Sequence, residues 1–185
     1  HDIRDYRLTD LRSLMGYVPQ DQFLFATSIL DNIRFGNPNL HLSAVEEATK
    51  LAQVYQDIVA MPKGFDTLIG EKGVSLSGGQ KQRLAMSRAM ILDPAILILD
   101  DSLSAVDAKT EYAIIDNLKE MRKDKTTIIT AHRLSAVVHA DLILVLQNGQ
   151  IIERGTHEDL LAIDGWYSQT YQSQQLEMKG EEDAE

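Results

Sequence analysis

Three strand-like segments separated by helical stretches constrain the fold of this chain more than any other feature. The first, over 95–99, reads Ala-Ile-Leu-Ile-Leu and is continuously apolar, which is typical of a strand buried on both faces of a parallel sheet. The second and third lie over 126–130 and 142–146, each after a stretch with a helical pattern. This alternation predicts a mostly parallel α/β sheet with right-handed crossovers, in which all three segments are buried strands.

The first half of the chain is predicted to be mostly helical. Its expected elements are a strand over 16–18 and helices over 27–35, 43–60 with a break, and 80–92. Ser43 and Glu46 have the spacing of a capping box, so we expect Ser43 to be the N-cap of its helix. The result is one domain over 1–176, in which a helical subdomain at about 20–92 is inserted before an α/β core over 93–176.

The end of the chain carries further local signals. Asn148-Gly149 between two apolar segments predicts a hairpin with a type I′ turn, which adds an antiparallel strand to the sheet. Helices are expected near 157–162 and 165–175. Four of the last five residues are acidic, and we expect the tail over 177–185 to be disordered.

Composition excludes several classes of protein. Lys and Arg total 18 against 28 for Asp and Glu, a net charge of −10, so the chain lacks the basic field that drives non-specific nucleic-acid binding. The sequence has no cysteine, which excludes disulfide scaffolds and thiolate metal sites. Its apolar strand segments are far shorter than the ~18 residues that a membrane span needs.

A serine followed by two glycines opens the helix predicted near residue 80. Ser77 and Gln80 have capping-box spacing, and Gly78 and Gly79 fall in the first turn. Each glycine costs a helix about 1 kcal/mol relative to alanine, so the pair requires a further reason. Two alternatives stay open: a plain capped helix, or a helix start whose bare amides bind a phosphate.

Acidic residues follow the first apolar strand. Asp100 and Asp101 stand where its carboxyl end is expected, and in open α/β sheets ligands bind at that edge. Four apolar residues followed by Asp is the pattern in which the carboxylate holds Mg²⁺ beside nucleotide phosphates, although strands also end in ordinary polar turns. His132 follows the next strand at the same predicted edge, where it could orient an attacking water, although a lone His is more often structural.

These motifs, in their order and spacing, resemble the nucleotide-binding domain of an exporter-type ABC transporter. The resemblance covers residues 2 to about 172 and rests on Leu-Ser-Gly-Gly-Gln over 76–80, on Leu-Asp-Asp-Ser-Leu-Ser-Ala-Val-Asp over 99–107, and on Thr-Ala-His-Arg over 130–133. It implies an ABC ATPase fold of the P-loop NTPase type, with ATP and Mg²⁺ as ligands. A second nucleotide-binding domain and transmembrane domains are the implied partners, at the cytoplasmic face of the cell membrane.

Position by position, the resemblance implies roles for single residues. Gln20 matches the Q-loop residue that contacts Mg²⁺, Asp100 the Mg²⁺ ligand, Asp101 the general base and His132 the switch histidine. Asp107 ends the D-loop, which communicates across the dimer. The signature residues close over ATP held by the partner subunit; they are Ser77, Gly78, Gly79 and Gln80.

Two segments resemble the parts of exporters that meet the membrane domains. Residues 22–32, with Phe23 and Phe25, match the segment that receives the coupling helices. Residues 69–73 match the exporter X-loop, with Glu71 at its acidic position.

The sequence departs from the family pattern in two places. It contains no G-x-x-x-x-G-K-[ST] loop, so we expect a fragment that begins downstream of that loop, without the N-terminal β part, and that is inactive alone. Asp101 stands where the family has Glu. Asp is ~1 Å shorter, and such a displacement can cost ~10²-fold in rate, so a slow site is expected.

The signature over 76–80 is intact, whereas the general base at Asp101 is one methylene shorter than the Glu of the family. This combination resembles the degenerate-site half of a heterodimeric multidrug exporter. A homodimer that tolerates Asp is the alternative for this site. For the protein as a whole, the alternatives are a soluble ABC ATPase of DNA repair or chromosome maintenance, and a non-hydrolytic interaction module supported only by Asp101.

Overall fold

The computed structural model describes residues 2–70 and 73–182, with side chains of the last helix described through residue 177. The chain divides into two compact units, of which the first ends at Thr130 and the second begins at Ala131. The first unit contains α1 (Leu8–Ser13), β1 (Met15–Val18), α2 (Ile29–Ile33), α3 (Leu42–Leu51), α4 (Tyr55–Val59), α5 (Gly78–Met90), β2 (Ile96–Asp100), α6 (Ala108–Met121) and β3 (Thr126–Thr130). The second contains β4 (Ile143–Gln147), β5 (Gln150–Gly155), α7 (His157–Ala162) and α8 (Trp166–Glu182).

A parallel sheet in the order β1-β2-β3 organises the first unit, which confirms the predicted α/β class. Leu97 and Leu99 of the central strand are fully buried, whereas Ile96 and Ile98 on its other face are half-buried, so the expected burial on both faces is complete on one face only. The expectation that 126–130 is buried on both faces is wrong. In the described sheet β3 pairs with β2 alone, and its residues alternate between exposed and half-buried.

Helix α5 contacts α2, α3 and β1, while α4 and α6 contact α3. The fully buried apolar side chains of the unit include Val18, Ile29, Ile33, Val45, Ile58, Met86, Leu97, Leu99 and Ile114. The prediction that Ser43 caps α3 is wrong, because His41 holds the extended N-cap position and Ser43 already lies inside the first turn. The predicted break before residue 60 is confirmed by the separate helix α4.

The second unit is built on the predicted hairpin. Asn148 and Gly149 have φ angles of 51° and 76°, the two positive values that a type I′ turn requires. The expectation that 142–146 continues the parallel sheet is wrong, since β4 and β5 form a two-stranded antiparallel sheet of their own. The hydrophobic core of the second unit consists of Leu134, Ile143, Val145, Leu160 and Tyr167. In the described part of the chain, no helix is both long and apolar enough to cross a membrane.

Candidate functional site

The carboxyl ends of the three parallel strands bring a group of polar side chains together. Asp100 ends β2, and its two carboxylate oxygens accept hydrogen bonds from Thr130 Oγ1 at 2.6 Å and from Tyr17 OH at 3.0 Å. The bond from Thr130, followed by the bond from Tyr17, lowers the pKa of Asp100 because each hydroxyl stabilises the charged carboxylate. The two bonds therefore favour the ionised form of Asp100 and fix the direction of both of its oxygens.

Asp101 has a fixed backbone and a loosely held side chain. Its N–H donates to Thr130 O at 3.0 Å and to Thr130 Oγ1 at 3.1 Å, and its φ of 45° lies in the left-handed region. Asp tolerates this region better than most residues that carry a Cβ. Its carboxylate accepts a single long bond of 3.3 Å from Gln20 Nε2. The structure thus brings Gln20, Asp100 and Asp101 together.

Thr130 and Tyr17 are site residues that the sequence analysis missed. Thr130 donates to Asp100 and also accepts from the Asp101 N–H, so one hydroxyl bridges the two acidic residues. They lie on the two strands that flank β2, where Tyr17 pairs in register with Ile98 and Thr130 with Asp100.

The donor set at this edge fits Mg²⁺. Mg²⁺ prefers oxygen ligands, usually takes one or two carboxylates, and keeps several waters or phosphate oxygens. Asp100, Asp101 and the amide oxygen of Gln20 match that chemistry. Within the described residues, no cluster of three or more His, Cys, Asp or Glu forms an all-protein metal cage.

The start of α5 is a complete capping box, as predicted. Gln80 N donates to Ser77 Oγ at 3.2 Å, and Ser77 N donates to Gln80 Oε1 at 3.0 Å. Gly79 has a packing reason that the sequence does not reveal, since a Cβ there would lie 2.7 Å from Ala105 O. Gly78 has more room, with the Ala105 Cβ at 3.4 Å from the corresponding position.

The loop after Asp101 is tied to α5. Gln82 donates through Nε2 to Ser104 Oγ at 3.1 Å and accepts through Oε1 from Ala105 N at 2.9 Å. Asp107 caps α6, because its carboxylate accepts a hydrogen bond from Thr110 N at 3.0 Å. Hydrogen bonds with the backbone and the side chain of Thr110 lower the pKa of Asp107. The predicted role of Asp107 in nucleotide binding stays a prediction.

His132 lies at the start of the second unit. Its backbone carbonyl accepts from Gln174 Nε2 of α8 at 2.9 Å. Its predicted place beside Asp100 stays a prediction, because the two residues belong to different units.

The segment predicted to meet the membrane domains presents aromatic side chains. Phe23 is 66% exposed and packs edge-on against Phe25, which in turn stacks on Phe35 with ring centroids 4.3 Å apart. Glu71, the other residue predicted to couple, lies outside the described residues.

Two polar residues beneath these rings attach the segment to α5. The buried Asn32 exchanges two hydrogen bonds with the backbone of Phe25, at 2.9 and 3.0 Å. Arg88 of α5 donates to Asn32 Oδ1 at 2.7 Å, to Asn32 O at 2.9 Å and to Phe23 O at 2.8 Å. Burial lowers the pKa of Arg88. No motif pointed to Asn32 or Arg88, whose partners are distant in sequence.

Comparisons with known proteins identify related sequences and a related structure. The model of the family described as "ABC transporter" matches residues 1–104. The chain is 55% identical over 174 residues to a probable multidrug resistance ABC transporter ATP-binding/permease protein of Bacillus subtilis, YheI, covering 94% of this chain and 30% of that protein. It is 46% identical to the multidrug resistance-like ATP-binding protein MdlA of Escherichia coli, covering 96% of this chain and 30% of the relative.

A solved structure described as a bacterial Atm1-family ABC exporter with ATP bound superposes with a TM-score of 0.88 at 41% identity. The superposition covers 94% of this chain and 31% of that one. The chain therefore spans about 30% of the length of the relatives it matches.

Proposed function

Because this chain belongs to the ABC transporter family, we propose that it is the ATP-binding and ATP-hydrolysing domain of an exporter, at the cytoplasmic face of a membrane. The observation that carries the proposal is the grouping of Gln20, Asp100 and Asp101 at the carboxyl edge of the parallel sheet. The multidrug-type names of the relatives support the exporter over the DNA-repair alternative. They also make a multidrug exporter the transporter type we propose.

In this proposal Asp100 and Gln20 hold Mg²⁺ together with ATP phosphates. When bound, the ion neutralises phosphate charge and makes the terminal phosphate easier to attack. Asp101 accepts a proton from the attacking water, and His132 orients that water. The hydrogen bonds from Thr130 and Tyr17 lower the pKa of Asp100, which favours the ionised form that a metal ligand needs.

The signature residues act on the nucleotide of a second domain. Ser77 offers its hydroxyl, and Gly78, Gly79 and Gln80 offer backbone amides at the positive end of the α5 dipole. We place Asp107 at the same interface. Phe23 and Phe25 receive the transmembrane domains: the ring of Phe23 is exposed and packs on the half-buried ring of Phe25, and an exposed aromatic cluster is typical of a docking site. We assign Glu71 to the same contact.

We further propose that the site of this chain is slow and that its partner is a different subunit with Glu at the position of Asp101. The short Asp side chain and its long 3.3 Å contact with Gln20 support this proposal, since a base that is poorly positioned loses rate steeply. The intact signature would then serve the competent site of the partner. Without a phosphate-binding loop in its 185 residues, the chain alone is expected to be inactive.

The test is the ATPase rate of the full-length transporter purified as a homodimer. We expect a low rate, which Asp101→Glu raises by up to about 10²-fold because the longer side chain restores the reach of the base. Part of the gain is lost to the left-handed backbone, which Glu tolerates less well than Asp. Asp116→Glu, the same change on an exposed face of α6, is the matched control. Rapid hydrolysis by the unmodified homodimer would contradict the slow-site proposal.

A further inference from the structure

A carboxylate outside every recognised motif binds the signature of α5. Asp57 of α4 accepts from Gln80 Nε2 through Oδ1 and from Arg83 Nη1 through Oδ2, each at 2.9 Å. The side chains are largely covered, with exposures of 29% for Asp57 and 14% for Arg83. Bonds that involve charged groups in such surroundings are stronger and more directional than exposed ones.

The bond that Gln80 donates to Asp57 determines how the Gln80 amide is oriented. Gln80 Oε1 accepts from Ser77 N, so its Nε2 must point the other way, and there it meets Asp57. A flipped amide would set its Nε2 against the Ser77 N–H and its oxygen against the carboxylate. Asp57 therefore stabilises the one orientation that keeps the capping box closed and Ser77 in place.

Arg83 compensates the negative charge of the Asp57 carboxylate at this position. An uncompensated negative charge beside the start of α5 would oppose the approach of a phosphate, and the guanidinium of Arg83 neutralises it. Arg83 also donates through Nε to Gly79 O at 3.2 Å and through Nη1 to Gln53 O. Gln53 has a φ of 56° and forms the corner between α3 and α4, so Arg83 connects this corner to the signature.

We propose that Asp57 is a positioning residue for ATP hydrolysis, which acts through Gln80 and holds the first turn of α5 in the geometry that receives a nucleotide phosphate. The inference rests on the proposed function, because it assumes that Ser77 and the glycines contact ATP. It assigns to α4, which carries no motif, the task of keeping the signature ready for the partner site.

The experiment reverses the polarity of the contact in the full-length transporter. Gln80→Glu keeps the acceptor for Ser77 N but sets two carboxylates against each other. Asp57→Asn added to it supplies an amide that donates to the new carboxylate, with the net charge of the wild type restored. We measure the KM for ATP, kcat and the thermal unfolding midpoint for both single variants and the double variant.

We expect Asp57→Asn to raise the KM for ATP by about 10-fold, because it loses the charged partner of Gln80 and Arg83. Gln80→Glu should raise the KM further, and the double variant should recover a large part of that loss. Gln56→Ala, at the exposed neighbouring position of α4, is the control and should keep the wild-type KM. Recovery of KM in the double variant separates positioning from a merely structural role, which would change the unfolding midpoint alone.

Failure of the inference and failure of the proposed function are distinguishable. The coupling of the two substitutions in the unfolding midpoint reports the contact whether or not ATP is hydrolysed. A wild-type transporter that neither binds nor hydrolyses ATP overturns the proposed function. An active transporter in which Asp57→Asn keeps the wild-type KM, or in which the double variant is no better than Gln80→Glu, overturns the role of Asp57.

Discussion

The start of α5 and the end of β2 both carry residues that the family resemblance assigns to ATP, yet they are built differently. At the start of α5, the Ser77 hydroxyl and both ends of the Gln80 amide have hydrogen-bond partners. At the end of β2, Asp100 is held by two hydroxyls, whereas Asp101 accepts one 3.3 Å bond and has a left-handed backbone.

The two sites therefore differ in how far they are preorganised. A surface that must fit a nucleotide held by another subunit gains from rigidity, because donors that are already aligned need no rearrangement on binding. A weakly held carboxylate must be ordered before it can act as a base. The contrast therefore agrees with the proposal that this chain contributes its signature more than its own base.

The largest effect is expected at Gly79, where the rigidity of the α5 start depends on close backbone packing. Gly79→Ala places a methyl group 2.7 Å from the Ala105 carbonyl, so the backbone of one segment must shift. We expect a loss of about 2 kcal/mol in the free energy of unfolding, measured by chemical denaturation. Gly78→Ala meets only a 3.4 Å contact and should be neutral or stabilising by up to about 1 kcal/mol. Equal effects of the two substitutions would contradict the packing argument.

A smaller effect is expected from the cap itself. Ser77→Ala removes the oxygen that accepts from Gln80 N and should lower the free energy of unfolding by about 1 kcal/mol. Ser43→Ala is the matched control, because Ser43 has the same capping-box spacing in sequence but lies inside the first turn of α3. It should cost nothing or stabilise slightly, since alanine is the better helix former. A loss at Ser43 as large as that at Ser77 would contradict the observed start of α3.

The same pair of serines illustrates what sequence can predict. Signals contained within a few residues were confirmed at the cap of Ser77, at the Asn148-Gly149 turn and at the carboxyl end of β2. Ser43 matched the same local pattern and failed, because a pattern does not fix which residue keeps an extended backbone.

Residues whose importance depends on distant partners could not be predicted. Asp57 lies 23 positions from Gln80, and Arg88 lies 56 positions from Asn32. Nothing in the sequence around Asp57 or Arg88 distinguishes these residues from ordinary surface charges. The exposure of β3 was likewise missed, because a run of apolar and β-branched residues indicates a strand but not which elements cover its faces.

The smallest effect is expected at Asp100, and it tests whether the end of β2 is organised around the metal ligand. The lowered pKa of Asp100 comes first from Thr130, so Thr130→Val should raise that pKa toward the ordinary value. A folded pKa below the unfolded one stabilises the fold above the unfolded pKa, and this stabilisation is lost as the pH falls through the folded pKa. As the pH falls through the acid range, Thr130→Val should therefore lose the stabilisation that Asp100 contributes to folding at a higher pH than the wild type does. An NMR titration of the Asp100 carboxyl measures the change in its pKa directly. Thr126→Val, at the other end of β3, is the control. If both variants titrate like the wild type, the Thr130 hydroxyl does not hold Asp100 in its ionised form.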